Sequence, residues 1–164
     1  MSEDSRVADR DILQALTTLE VNYWYEVDYN WGRNAHAFYT SQGVFAIGDK
    51  TMAGRDAIAE FYCWRESRGE RVARHVVTNL RLGESHGARA RLECIMLLYA
   101  ADGRPVLPSL PAIMIADVVS DCERDDDGKW RFVLHRLVPV FEGGVPATIP
   151  QNLPSSRRGN HRDK

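Results

Sequence analysis

The apolar residues of this chain change their spacing once, near Gly69, and that change limits the fold more than any other feature. Upstream they recur every three or four residues; downstream they mostly alternate. The first spacing is that of an amphipathic helix and the second that of a strand. In the stretch 9–30, Ile12, Leu16, Leu19, Tyr23 and Val27 form one stripe, with Asp9 or Asp11 as cap and Asn30-Trp31-Gly32 as the stop. A short helix is expected over 35–39, a strand over 43–47 and a turn at Gly48-Asp49 into 50–52. A second long helix spans 54–68, where Ile58, Phe61, Tyr62 and Arg65 share a face.

After residue 70 the pattern predicts strands over 71–82, 88–100, 113–123 and 130–141, with a loop at 83–87. Helices first and meandering antiparallel strands last make an α+β plan, with the helices on one face of a curved sheet. In the last strand Trp130, Phe132, Leu134 and Val138 fall on one face, and Val133, Leu137 and Phe141 on the other. Both faces are apolar, so both need cover. The helices supply one; a second copy of the chain, as a dimer or trimer, is expected on the other.

With 164 residues, the chain reads as one domain over 1–144 and a basic, proline-containing tail over 145–164. The tail carries Arg157, Arg158, Arg162 and Lys164 against Asp163, a net +3. So few apolar residues lie there that it should add little to the core. A pI near 6.2 argues against nucleic-acid binding. No apolar run reaches the ~18–20 residues of a membrane helix. The N-terminus has acids interleaved and no apolar stretch, so a cytoplasmic location is expected. Three scattered cysteines, Cys63, Cys94 and Cys122, form neither a disulfide framework nor a zinc motif.

Phosphate loops, serine-nucleophile elbows and metal-ligating histidine pairs are absent. The informative groups are polar residues inside apolar patterns. Alternation puts His75, Val77 and Asn79 on one strand face, so an imidazole and an amide would line one cavity or sit as satisfied core groups. Asp28 lies in the aromatic-rich segment 23–31, on the flank of the helical stripe. It is either an exposed residue near a helix end or a partner for a histidine. His135 falls on the Val133/Leu137 face, the candidate subunit contact. Arg136 falls on the Trp130/Leu134 face and would need an acidic partner or substrate.

Three segments taken together resemble the SnoaL-like branch of the nuclear-transport-factor-2-like superfamily. They are Gly54-Arg55-Asp56-Ala57-Ile58 after a short hairpin, Arg74-His75-Val76-Val77-Thr78-Asn79, and Asp127-Gly128-Lys129-Trp130-Arg131-Phe132. The resemblance covers about 9–144. It implies a cone-shaped α+β barrel, in which a strongly bent antiparallel sheet packs on N-terminal helices around an apolar pocket. The branch includes dehydratases, a dehydrochlorinase and the small subunits of ring-hydroxylating dioxygenases. Its lyases use an Asp-His dyad, and Asp28 and His75 occupy those positions. Tyr23 resembles a tyrosine that precedes the aspartate by five residues in one dehydratase. An arginine of that enzyme's last strand aligns with Pro139, leaving Arg136 as the nearby substitute. Ser41-Gln42 stand where isomerases of the superfamily carry an acid.

The resemblance therefore implies proton abstraction by His75 assisted by Asp28 and Tyr23, with Asn79, Arg136 and Trp24 as substrate contacts. The substrate would be small, hydrophobic and cyclic, and the reaction would require no metal or organic cofactor. The alternatives are a structural small subunit that binds a dioxygenase large subunit, and a non-catalytic binding module.

Overall fold

The computed structural model describes residues 3–143, so the expected tail lies outside the described residues. Helix α1 spans Glu3–Asn30 and is followed by a 3-10 turn, Ala35–Phe38. Strands β1 (Tyr39–Ile47) and β2 (Lys50–Ala53) form a hairpin that leads into α2 (Arg55–Ser67). Four long strands follow: β3 (Arg71–His86), β4 (Arg89–Asp102), β5 (Met114–Arg124) and β6 (Trp130–Glu142). The α+β plan holds, with the four-strand meander beginning where the apolar spacing changes. No helix among the described residues is long and apolar enough to cross a membrane.

The six strands form one bent sheet in the order β2-β1-β6-β5-β4-β3. Neighbours in the β3–β6 meander are antiparallel. Strand β1 instead runs parallel to β6, so the sheet is mixed and not wholly antiparallel. Strands β2 and β3 remain at opposite edges, and the sheet does not close into a barrel. Leu16, Tyr23 and Val27 of α1 and Ile58, Phe61 and Tyr62 of α2 enter the core. Facing them are Phe45, Leu92, Met96, Val118 and Leu137 from the sheet.

Two bulges decide which polar groups enter that core. In β6, Cys122 pairs with Phe132 but Asp121 pairs with Leu134, so Val133 is an extra residue. An extra residue reverses the alternation beyond it. Phe132 therefore points inward, and so do His135 and Leu137, three and five positions later. This corrects the expectation for the last strand: His135 belongs to the core, and Arg136 to the opposite, outer face. In β3 the register slips between Thr78 and Arg81. Asn79 adopts a left-handed φ of 55° and is exposed. Asparagine tolerates that conformation better than most residues. Leu80 takes the inward place that strict alternation gave to Asn79. A second slip, between Leu82 and Ser85, carries β3 on through residues expected to be a loop.

Helix α1 ends where Trp31 and Gly32 turn left-handed, with φ of 62° and 72°. The Gly32 N–H donates to Glu26 O at 3.2 Å. Gly32 lies flat against the Tyr62 ring, where a β-carbon would collide with it. The last turn of α1 is thereby held against α2 while β3 crosses beside it.

Candidate active site

Asp28 lies in the last turns of α1, two residues before the helix ends. Its Oδ2 accepts the backbone N–H of His75 at 2.8 Å, and its Oδ1 lies 2.6 Å from His75 Nδ1. One carboxylate thus grips both the backbone of β3 and the ring it carries. The two side chains are 6% and 4% exposed, so the helix flank on which Asp28 sits is covered by the strand. The Trp24 indole stacks on the imidazole, with centroids 4.1 Å apart and planes 16° apart. The ring is held by an ion on its edge and an aromatic plate on its face.

Bonding to Asp28 assigns the proton to Nδ1 and leaves Nε2 with its lone pair. No described protein group is hydrogen-bonded to Nε2. Burial pushes the His75 pKa below its usual 6.5; the hydrogen bond and charge of Asp28 act upward but do not restore it. The ring is therefore a neutral base at pH 7. It lines a narrow cavity of about 40 Å³ that opens to solvent. The walls are largely apolar: Trp24, Phe45, Phe61, Leu98, Met114 and Leu137. Three further polar side chains join His75 there, those of Tyr62, Arg65 and Arg71.

The expected site residues separate. His75, Asp28 and Trp24 come together. Tyr23 is fully buried behind the cavity and does not line it. Its hydroxyl meets the hydroxyl of Tyr62, which does. Burial, with neighbouring phenols, raises the Tyr23 pKa, and burial raises that of Tyr62, so both keep their protons at neutral pH. Asn79 and Arg136 stand outside the cavity because the two bulges turn them outward.

The polar groups missed by sequence reasoning had a signal. Spacing puts Arg65 on the apolar face of α2, an unusual position for a cation, but does not say what it faces. Glu20 falls between Leu16 and Tyr23 on the α1 stripe and is fully buried. Its Oε1 accepts Trp24 Nε1–H at 2.8 Å and lies 3.0 Å from His135 Nε2. Its Oε2 accepts Ser120 Oγ–H at 3.0 Å. His135 Nδ1 in turn meets Tyr39 Oη at 3.0 Å. Burial alone would raise the Glu20 pKa, but the charge and hydrogen bond of His135, with the hydrogen bonds from Trp24 and Ser120, hold it lower. Trp24 is thus fixed from behind by Glu20 while its face supports His75.

A family model of the SnoaL-like domain matches residues 6–136. No curated protein matches the chain. Among solved structures, a provisionally assigned scytalone dehydratase from Novosphingobium aromaticivorans is 16% identical, with TM-score 0.69 over 92% of this chain and 98% of that one. The beta subunit of a provisionally assigned aromatic-ring-hydroxylating dioxygenase from the same organism is 11% identical, with TM-score 0.70 over 90% and 97%. A cystatin-like protein of unknown function from Nostoc punctiforme is 17% identical, with TM-score 0.64 over 77% and 89%. At these identities the structural likeness concerns the fold.

Proposed function

The chain belongs to the SnoaL-like domain family, and on that footing we propose that it is a cofactor-independent lyase, eliminating hydroxide or halide from a small hydrophobic ring. One observation carries the reading: Asp28 binds both the backbone and Nδ1 of His75, which leaves Nε2 as a free base at an apolar cavity. Nε2 takes a proton from the carbon beside the one bearing the leaving group. Asp28 holds the tautomer before transfer and stabilises the imidazolium after it. Tyr62 Oη, buried and protonated, donates to the departing oxygen or halide, with Tyr23 supporting it from behind. The electron pair of the broken C–H bond becomes the new double bond as the leaving group departs, so the step is redox-neutral.

The test is elimination and α-proton exchange from cyclic ketones bearing a β-hydroxyl or β-halide, followed by NMR in D2O. Activity that vanishes in His75→Ala supports the proposal. No elimination or exchange above that variant's background, for any compound of the panel, ends it.

The acid limb of kcat/KM should have its midpoint below 6.5, with a plateau through neutral pH, because only the neutral ring is a base and burial lowers its pKa. Stability follows the same group. The unfolded chain holds this proton more tightly, so stability falls as pH drops from 6.5 towards the folded-state pKa. A midpoint above 7 would show that another group is the base.

The exposed face of the sheet supports self-association as part of this proposal. Val133, Val138 and Val140 of β6 and Tyr99 of β4 are 38–53% exposed. A single helical layer leaves that face uncovered. Sedimentation velocity at micromolar concentration should give a dimer or trimer; a monomer at high micromolar concentration would refute it. The same face and the likeness to a dioxygenase beta subunit favour a second reading, an assembly subunit that binds a large subunit. Lyase activity of the isolated chain separates the two.

A further inference from the structure

Arg65, like Arg71, is a polar wall residue of the cavity that neither the dyad nor the phenol pair uses. It reaches the cavity from the apolar face of α2, and its guanidinium lies over the Tyr62 ring, 5.7 Å from the centroid. The neighbouring cations have protein partners. Arg71 pairs with Asp102 at 2.6 Å, and Arg74 donates to Ala73 O while lying over Tyr29. Arg65 has no carboxylate partner among the described residues. Arg65 and Arg71 also line an adjoining hollow with Asp28, Tyr29, Trp31 and Arg74, which places the two residues at the border between the two spaces.

A half-buried guanidinium at an apolar cavity gives up part of its hydration without a compensating ion, and an anion from solution can supply one. The position also matters to the base. The positive charge of Arg65 acts against protonation of His75. Any proton transfer to Nε2 therefore builds a second cation near the first, and a bound anion offsets that repulsion.

We propose that the cavity takes an acidic ring compound, a carboxylate or an acidic phenol, whose anionic group pairs with the Arg65 guanidinium while the ring enters the apolar interior. This names the ligand class for the lyase reading and rests on it for the reaction, but its test is binding alone. Arg65 is then the residue that sets specificity. Its five N–H donors suit the two oxygens of a carboxylate better than a lysine's point charge.

The test uses 2-naphthoate and its neutral counterpart 2-naphthamide, titrated calorimetrically into the wild-type chain, Arg65→Gln and Arg65→Lys. The wild type should bind the acid ~10-fold or more tightly than the amide, the order expected of a charge-assisted pair. Arg65→Gln should abolish the preference, and Arg65→Lys should keep part of it. Thermal melts that match the wild type would show the Arg65 variants to be folded. Equal affinities in the wild type, an acid preference surviving in Arg65→Gln, or no binding of the acid at millimolar concentration would overturn the proposal. Acid preference without elimination on any substrate would end the lyase reading alone. Elimination of neutral substrates with no acid preference would end this inference alone.

Discussion

Replacing His75 with alanine is expected to cut turnover by ~100-fold or more with the fold intact, because general-base catalysis contributes about that much. Asp28→Asn should match or exceed the loss for a different reason. An asparagine oxygen can still accept the His75 backbone N–H, now 2.8 Å from Oδ2. That leaves the NH2 group facing Nδ1, where the carboxylate stood 2.6 Å away. A donor there favours the tautomer with its proton on Nε2, and the base loses its lone pair. A comparable aspartate-to-asparagine change in a serine-protease triad costs roughly 10⁴ through the wrong tautomer, which sets the scale. The double variant should be little worse than the worse single, since the two groups act as a unit. Steady-state kinetics, with nitrogen NMR of the ring to read the tautomer, checks both claims. A variant lacking both groups that keeps full activity would sink the dyad.

The largest stability effect is expected at Glu20, which takes no part in the proposed chemistry. Glu20 and His135 are both fully buried. Removing one partner of such a pair leaves the other uncompensated and typically costs ~3–5 kcal/mol. Glu20→Ala would also orphan Trp24 Nε1–H and Ser120 Oγ–H, which now donate to it at 2.8 and 3.0 Å. Against a typical domain stability of ~5–15 kcal/mol, that is a large share. Denaturant unfolding should show it as a lower midpoint with an unchanged slope. The carboxyl is held below its ordinary 4.5, so its contribution is complete above that pH and is lost as the solution is acidified through the folded-state value. A change of less than ~1 kcal/mol in Glu20→Ala would mean that the site relaxes or admits water, because a buried group left unsatisfied costs at least that much.

The two dyads show how far a sequence can be read. Asp28 and His75 carried a recognisable position relative to the elements around them, and the structure brings them together. Glu20 and His135 carried the pattern of buried residues only in part. Glu20 sits among Leu16, Tyr23 and Trp24 at helical spacing, so its burial was legible had the stripe been read for polar members. The inward direction of His135 was not legible. It depends on one extra residue at Val133, and nothing in the local run from Trp130 to Leu137 marks where a strand will bulge against a partner remote in sequence.

Local chemistry thus determined what each segment is. Helical spacing before Gly69, alternation after it, glycine turns and the stop at Gly32 are properties of neighbours a few residues apart, and the α+β plan follows from them. Tertiary structure decided what each polar side chain faces. Strand β1 lies parallel to β6, whose residues stand nearly a hundred positions later. Strand β3 crosses the end of α1 and buries an aspartate that its own helix would leave on a flank. The bulges at Val133 and Asn79 reverse the side-chain direction of everything beyond them until the next slip in register. Spacing along the chain records periodicity, which is set by backbone geometry within one element. The direction of a side chain also depends on the register between elements, and that is fixed only when the sheet packs against its helices.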